Sequence, residues 1–471
     1  MTISKKKTIY FIGIGGAGMS AIAKILLEQG YKVSGSDLKE TITTIRLKDL
    51  GAKLFYGHDP KNLRSADYVV VSSAISEDNP EYTHALQEKL PVLKRAEMLN
   101  EVMKSFPGRI SVAGTHGKTT TTSMITRVLE SANQKPTYII GAEMADYGGS
   151  AGLGDGNYVV AESDESDGSF LHLEATIGVL TNIEPEHMDY YKRVDNLFGH
   201  FVTFMNAILS RKGYLVLNAD DANLMSLVPQ LSDTSSVIYY GIEAEASIRA
   251  QSIVHSPTGV HFNLLVNGED MGEVLLSVKG VHNVYNALAA IAFGLREHLP
   301  LDLIKKGLMN FTGAKRRLQV IGQVNDIIVY DDYGHHPTEI RVTLEGVKQS
   351  LQRRTICIFQ PHRYTRTRDL LESFPTAFGA ADKVIITEIY SANEKKISGI
   401  SGKVIVDKMK KLYPQVDVCF ISKKSDIASK LAPTLKQGDV VITMGAGDIY
   451  TVAKELYVQL KEASLDLTPA A

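Results

Sequence analysis

The sequence predicts an α/β protein of three domains with mainly parallel sheets: a Rossmann-like N-terminal domain, a central phosphate-loop domain and a Rossmann-like C-terminal domain. Three observations carry this. Short runs rich in Val and Ile alternate with helix-like segments along the chain, the pattern of strand–helix–strand units. Two such runs end in glycine-rich turns that open helices, at 13–18 and 114–117. The length, 471 residues, exceeds one core and at roughly 150 residues per domain suggests about three. Pro107-Gly108 is a natural break and Lys315 starts a new strand series, giving domains at 1–107, 108–314 and 315–471.

Composition narrows the class. A hydrophobic content of 44% and a charged content of 22% are those of a globular enzyme. A net charge of -2 gives no long-range pull toward nucleic acid or an anionic membrane. Two cysteines, Cys357 and Cys419, both in apolar runs, read as buried thiols. Lys5, Lys6 and Lys7 precede the apolar run Thr8–Ile12, but glycines break it at once and Lys24 and Glu28 follow. This is a first buried strand, not an export signal. No apolar run nears the roughly 20 residues that span a bilayer. The expectation is a cytoplasmic protein, monomer or homodimer, with no nucleic-acid or membrane partner. Residues 465–471 read as a frayed end.

In the first domain, Thr8–Ile12 leads into Gly13-Ile14-Gly15-Gly16-Ala17-Gly18 and a helix over 19–29. Gly13 permits the tight turn, Gly15 lets backbone approach a diphosphate, and Gly18 allows close helix–strand packing. Asp37, at the end of the second strand, could accept a ribose hydroxyl. The pattern says diphosphate near a helix start and is compatible with a dinucleotide oxidoreductase.

The second domain opens on Ser111-Val112-Ala113-Gly114-Thr115-His116-Gly117-Lys118-Thr119-Thr120. A strand, a glycine loop and a helix from Thr119 build a triphosphate cradle. Loop N–H groups and the helix N-terminus meet phosphate oxygens, Lys118 adds a full charge, and the Thr119 hydroxyl suits Mg²⁺. Val112 stands where the usual pattern has its first glycine, so this is a shorter variant loop. The expectation is a P-loop ATPase-type domain. The strand 158–162 ends in Glu162, placed to hold Mg²⁺ beside the phosphates. The acidic run Ser163-Asp164-Glu165-Ser166-Asp167 by itself reads as a solvated turn. His187 follows the strand 177–180, so Thr119, Glu162 and His187 form a candidate ligand set for Mg²⁺ or Mn²⁺.

These pieces resemble the Mur ligase family of ATP-dependent amide-bond formers in peptidoglycan synthesis. The resemblance rests on Gly114–Thr120, on Thr181-Asn182-Ile183-Glu184-Pro185-Glu186-His187-Met188-Asp189, and on Asp331-Asp332-Tyr333-Gly334-His335-His336-Pro337-Thr338-Glu339. Gly280-Val281-His282-Asn283-Val284-Tyr285-Asn286-Ala287, Phe359-Gln360-Pro361-His362-Arg363-Tyr364-Thr365-Arg366 and Met444-Gly445-Ala446-Gly447-Asp448 extend it over nearly the whole chain.

The resemblance implies one domain each for a UDP-sugar, ATP and an incoming amino acid. Gly13, Gly15, Gly16, Gly18 and Asp37 would then grip UDP-N-acetylmuramate, with Ser72 and Ser73 as further contacts. Gly114, Thr115, His116, Gly117, Lys118, Thr119 and Thr120 would hold ATP phosphates, and His282, Asn283 and Asn286 its adenine end. Arg317 would reach a phosphate and Asp332 the ribose. Tyr333, His335, His362, Arg363 and Arg366 would receive the amino acid, the arginines clamping its carboxylate. Lys118, His187, His335 and Arg317 are the expected catalytic residues. Several relatives place a carbamylated lysine about fifteen residues beyond the histidine matching His187. Phe201-Val202-Thr203 stand there, which fits the alanine-adding branch and implies no carbamate. A recycling ligase that adds a preformed tripeptide to the same UDP-sugar is the nearer alternative.

Overall fold

The computed structural model describes residues 3–144, 147 and 149–465. Most of the expected frayed end, 466–471, lies outside the described residues. Among the described residues three sheets, of five, ten and six strands, organise the fold.

The five-stranded sheet runs Lys53–Tyr56, Lys32–Asp37, Thr8–Ile12, Tyr68–Val71, Val92–Lys94, and every pairing is parallel. Ile9, Tyr10, Phe11 and Ile12 are fully buried, as a strand covered on both faces requires. Strand order reverses beside Thr8–Ile12, which places the glycine loop at the crevice where such sheets bind ligands. The helix Ala17–Glu28 starts there and buries Ile22, Ile25 and Leu26, a spacing that puts them on one face.

In the ten-stranded sheet, Ile177–Leu180, Gly108–Ala113 and Tyr158–Glu162 are adjacent and parallel. Leu180 pairs with Ala113, and Val112 with Glu162. The three strands therefore end at one edge. Lys118–Ser131 and Val194–Ser210 are the helices that follow. Phe170 packs on Phe201 and Phe204, with ring centroids 5.2 and 5.0 Å away. Beyond the sequence reading, the sheet continues through Tyr214–Asn218, Val237–Gly241, Ile248–Ser256, Gly259–Val266 and Glu269–Leu276. The last of these is exposed along most of its length, which hides it from a search for buried runs.

The six-stranded sheet runs Gln319–Val324, Ile327–Asp332, Val440–Met444, Thr355–Phe359, Lys383–Ile386, Asp417–Phe420. Only the first pairing is antiparallel. Asp332, Phe359 and Met444 end in register, so the turns after them share one edge.

Backbone contacts divide the chain into two compact units. One comprises Met1–Ser252, Phe262–Leu275 and Val284–Phe311; the other comprises Ile253–His261, Leu276–Asn283 and Thr312–Ala471. The first contains the five-stranded sheet and most of the ten-stranded one; the second contains the six-stranded sheet. Among the described residues no helix is long and apolar enough to cross a membrane.

Phe204 is 1% exposed at the centre of its cluster. Phe204→Ala should cost about 3–5 kcal/mol, read as an earlier denaturant midpoint of the first unit. An unchanged midpoint contradicts this packing.

Candidate active site

The phosphate loop is held from behind. Thr115 N–H donates to the Asn182 carbonyl at 2.9 Å, and His116 N–H to Asn182 Oδ1 at 2.9 Å. Thr181 Oγ1 and Asn182 Nδ2 return bonds to the His116 carbonyl at 2.6 and 3.0 Å. Two loop N–H groups expected at the phosphates thus fix the loop. The donors that helix geometry leaves over are those of Lys118, Thr119 and Thr120, the first turn of Lys118–Ser131, which has no side-chain cap. Gly114 has φ +130° and Gly117 φ +81°. A Cβ on Gly114 would stand 2.2 Å from Thr181 Oγ1, and one on Gly117 2.6 Å from Asn286 Oδ1. The tight fit makes both glycines obligatory.

Lys118 Nζ folds over the loop, 2.6 Å from the Gly114 carbonyl and 3.1 Å from that of Thr115. It also meets Glu165 Oε1 at 2.9 Å and Oε2 at 2.8 Å. Burial opposes its charge, but the carboxylates of Glu165 and Glu162 outweigh burial and raise its pKa above that of an ordinary lysine. Glu165 is only 3% exposed. The acidic run is therefore not a solvated turn: a fully charged loop lysine needs a buried counter-charge, and Glu165 supplies it.

Thr119 Oγ1 lies 3.0 and 2.9 Å from the two Glu162 oxygens, and Glu162 Oε2 also accepts Gly141 N–H at 2.7 Å. The oxygen donors of Thr119 and Glu162 suit a hard divalent cation. His187, with φ +57°, points Nε2 at Glu165 Oε1, 3.8 Å away, and at Glu186 Oε2, 3.7 Å away. Glu165 thus lies between Lys118 and His187. Asn286 backs the loop, accepting from Thr121 Oγ1 at 3.1 Å.

At the first glycine loop, Gly13 and Ile14 N–H both donate to the Ser36 carbonyl at 2.9 Å. Gly15 N–H donates to Asp37 Oδ2 at 2.8 Å, so Asp37, expected to accept a ribose hydroxyl, also secures the loop. Gly16 N–H closes the turn on Gly13 at 3.1 Å. The bare face of Gly18 receives an arginine, not a strand: a Cβ there would lie 3.0 Å from Arg95 Cδ. Arg95 also pairs with Asp164 at 3.4 Å. Ser72 and Ser73 belong to a turn whose Ile75 packs on Gly13.

In the second unit, His282 is half-buried beside Arg317, and desolvation together with that charge pushes its pKa down to about 4. Asn283 Nδ2 donates to the Lys279 carbonyl at 2.7 Å. Arg317 faces Glu339 at 3.5 Å and lies over the Tyr333 ring at 5.4 Å. Asp332 accepts Gly334 N–H at 2.6 Å and Leu318 N–H at 2.7 Å. Burial outweighs those bonds and Arg317, and raises its pKa to about 6.

Tyr333, His335, His362 and Tyr390 form a row of rings, with successive centroids 5.6, 5.8 and 5.6 Å apart. His335 Nδ1 faces the Tyr333 carbonyl at 3.1 Å. His336 instead caps the helix Pro337–Leu351, accepting Thr338 N–H. His362 Nδ1 lies 3.1 Å from Arg366 Nη1. Burial and the charges of His335, Arg366 and Arg363 lower the His362 pKa to about 3, so at neutral pH it accepts from Arg366. Arg363 pairs with Glu394 at 3.2 Å. Glu394, Tyr390, Arg95, Asn182 and Glu165 are the site residues that sequence reading did not assign. Each is a partner of an assigned residue and lies far from it in the chain or in an unremarkable run.

Three family models match the chain in succession. That for the Mur ligase family, catalytic domain, matches residues 8–107; the Mur ligase middle domain matches 112–294; the Mur ligase, glutamate ligase domain, matches 316–447. The UDP-N-acetylmuramate–L-alanine ligase of Geotalea uraniireducens is 45% identical over 457 residues, covering 97% of this chain and 99% of its own. That of Myxococcus xanthus is 43% identical over 457 residues, covering 97% and 96%. The crystal structure of the UDP-N-acetylmuramate-alanine ligase from Thermotoga maritima has a TM-score of 0.81 at 29% identity, covering 97% and 99%. A murein peptide ligase from Psychrobacter arcticus has a TM-score of 0.69 at 26% identity, covering 96% and 98%.

Gly117→Ala should weaken binding of a fluorescent ATP analogue by about tenfold or more, through the strained φ and the clash with Asn286. Unaltered affinity contradicts the cradle. A second expectation concerns pH. The folded pKa of Asp332 is raised from 3.8 to about 6. Its contribution to stability is therefore complete below about pH 4 and is lost as pH rises toward 6. Relative to Asp332→Asn, the wild type should lose about 1–3 kcal/mol across that window. Parallel pH profiles of the two proteins contradict this.

Proposed function

The chain belongs to the Mur ligase family, and on that premise we propose that it joins L-alanine to the lactyl carboxylate of UDP-N-acetylmuramate with cleavage of ATP to ADP and phosphate, a step of peptidoglycan precursor synthesis in the cytoplasm. The observation that carries the reading is the cradle at Gly114–Thr120, with the first-turn donors at Lys118, Thr119 and Thr120 beside Glu162. Relatives at 42–45% identity are named as alanine ligases, which favours alanine over a preformed tripeptide. They also favour a UDP-sugar over a nicotinamide cofactor at the first glycine loop.

The chemistry explains the need for ATP. A carboxylate is a poor electrophile and hydroxide a poor leaving group. The lactyl carboxylate takes the γ-phosphoryl group, giving an acyl phosphate and ADP. The L-alanine amine then attacks the carbonyl, and phosphate leaves from the tetrahedral intermediate. Residues 108–314 hold ATP: first-turn N–H groups and Lys118 offset charge on the phosphates. For ATP to engage Lys118, the ammonium turns from the carbonyls of Gly114 and Thr115 toward phosphate while Glu165 keeps it charged. Thr119 and Glu162, with His187 as third candidate, would hold Mg²⁺, which neutralises phosphate charge when bound. Residues 1–107 hold the UDP-sugar through Gly13, Gly15, Gly16 and Gly18.

Residues 315–471 hold L-alanine. Arg363 and Arg366 are proposed for its carboxylate. His335 is proposed to contact the deprotonated amine, and His362, neutral at physiological pH with Nδ1 accepting from Arg366, adds no positive charge beside it.

Phosphate release assayed with ATP, Mg²⁺, UDP-N-acetylmuramate and L-alanine should need all four. Lys118→Ala should lower turnover by at least about 10²-fold. Release that persists without L-alanine or the UDP-sugar, or a variant with most of its turnover, contradicts the reading.

A further inference from the structure

The loop 387–401, between the strand Lys383–Ile386 and the helix Gly402–Leu412, grips one of the arginines proposed for the amino acid at two points. Arg363 N–H donates to the Tyr390 carbonyl at 2.9 Å. The Arg363 guanidinium meets Glu394 Oε1 through Nε at 3.2 Å. Glu394 is itself anchored. Thr365 Oγ1 donates to its Oε1 at 2.6 Å, and Thr365 N–H donates to its Oε2 at 3.1 Å. Three donors on two oxygens fit an acceptor-only carboxylate.

The backbone at Arg363 needs such restraint. Its φ of +70° and ψ of 138° lie where residues with a Cβ are rarely found. Strain of this kind persists only where the surroundings over-determine it, and it gathers at binding sites. Here the Tyr390 carbonyl holds the N–H side. On the other side, Thr367 N–H and hydroxyl donate to the Arg363 carbonyl at 3.1 and 2.8 Å.

The loop is braced in turn. Tyr390 N–H donates to the Pro361 carbonyl at 2.8 Å, and the Tyr390 ring lies 8° from parallel to that of His362. Gly447 makes room for the ring, since a Cβ there would stand 2.6 Å from Tyr390 Cγ. Ala392 and Asn393, left-handed at φ +48° and +68°, then turn the chain back. Glu394 N–H closes that turn on the Ser391 carbonyl at 2.9 Å, and the Glu394 side chain returns to Arg363.

A long flexible side chain loses rotamer freedom when a ligand immobilises it, and the loss weakens binding. An arginine already held through Nε has lost that freedom beforehand. The edge between its two terminal nitrogens is a second fork of donors, matched in geometry to a carboxylate. Arg363 is 37% exposed and Glu394 17%, so a solute reaches the arginine more readily than the acid that holds it.

We propose that Glu394 is a positioning residue of the amino-acid site, which preorganises Arg363 for the carboxylate of L-alanine. The inference rests on the proposal that Arg363 takes that carboxylate. It adds a residue that acts through Arg363 without touching the substrate.

The full-length protein is assayed at saturating ATP, Mg²⁺ and UDP-N-acetylmuramate with L-alanine varied. In Glu394→Gln the pairing with Arg363 loses its charge, and an amide nitrogen stands among donors. KM for L-alanine should rise about three- to tenfold, with kcat within about twofold. The melting temperature and the KM for ATP should stay near those of wild type. Arg363→Ala should raise the KM for L-alanine at least as far, and adding Glu394→Gln to it should change that KM by less than about twofold. Thr365→Val removes the hydroxyl that anchors Glu394 and leaves both members of the pair in place. It should raise the KM about twofold or more, and it carries the test if Glu394→Gln does not fold. An unchanged KM in folded Glu394→Gln, or in Thr365→Val where it stands in, overturns the inference. So does a loss confined to kcat, or an effect of Glu394→Gln that persists beside Arg363→Ala. Arg363→Ala with the KM of wild type overturns instead the assignment of Arg363 itself.

Discussion

A lysine that must meet a triphosphate has to sit in a protected loop and stay charged there. Lys118 does so because Glu165, itself buried, pairs with it. Neither group is tolerable alone, since an unpaired buried charge costs several kcal/mol (about 3–5 when one partner is removed). The pair fixes the path of residues 163–167 after the strand Tyr158–Glu162, and it brings His187 toward the same carboxylate. Much of the central site is arranged around this one contact.

The sheet makes that contact available. Parallel pairing brings the ends of Gly108–Ala113, Tyr158–Glu162 and Ile177–Leu180 to one edge. The loop from the first strand is then lashed to Thr181 and Asn182 after the third. The price is that the N–H groups of Thr115 and His116 are committed to Asn182. Phosphate recognition falls to the helix start, where the donors are left over by the geometry of the helix itself. The third sheet repeats the device with other chemistry. Turns after Ile327–Asp332 and Thr355–Phe359 bring His335 and His362 within ring contact.

How much of this the sequence disclosed follows from the range of each signal. Gly117-Lys118-Thr119 could be read because loop, charge and hydroxyl are adjacent in the chain and each has a local reason to be there. The strand Thr8–Ile12 was legible because burial on both faces demands an unbroken apolar run. Glu165 was not, since an acid among Ser and Asp residues looks solvated until a lysine from another segment is placed on it. Gly18 misled for a similar reason: its missing side chain makes room for Arg95, which lies far along the chain. Glu394 and Tyr390 carry no motif of their own and matter through Arg363 and His362. Residue types that act alone were visible; partners that exist only in three dimensions were not.

The central claim is that ATP energises a carboxyl group, and it has a direct isotopic signature. UDP-N-acetylmuramate carrying ¹⁸O in its lactyl carboxylate is turned over with ATP and L-alanine, and the inorganic phosphate is analysed by mass spectrometry. An acyl phosphate transfers one of those oxygens to phosphate, so the account predicts labelled phosphate in step with amide product. Amide product accompanied by unlabelled phosphate contradicts it.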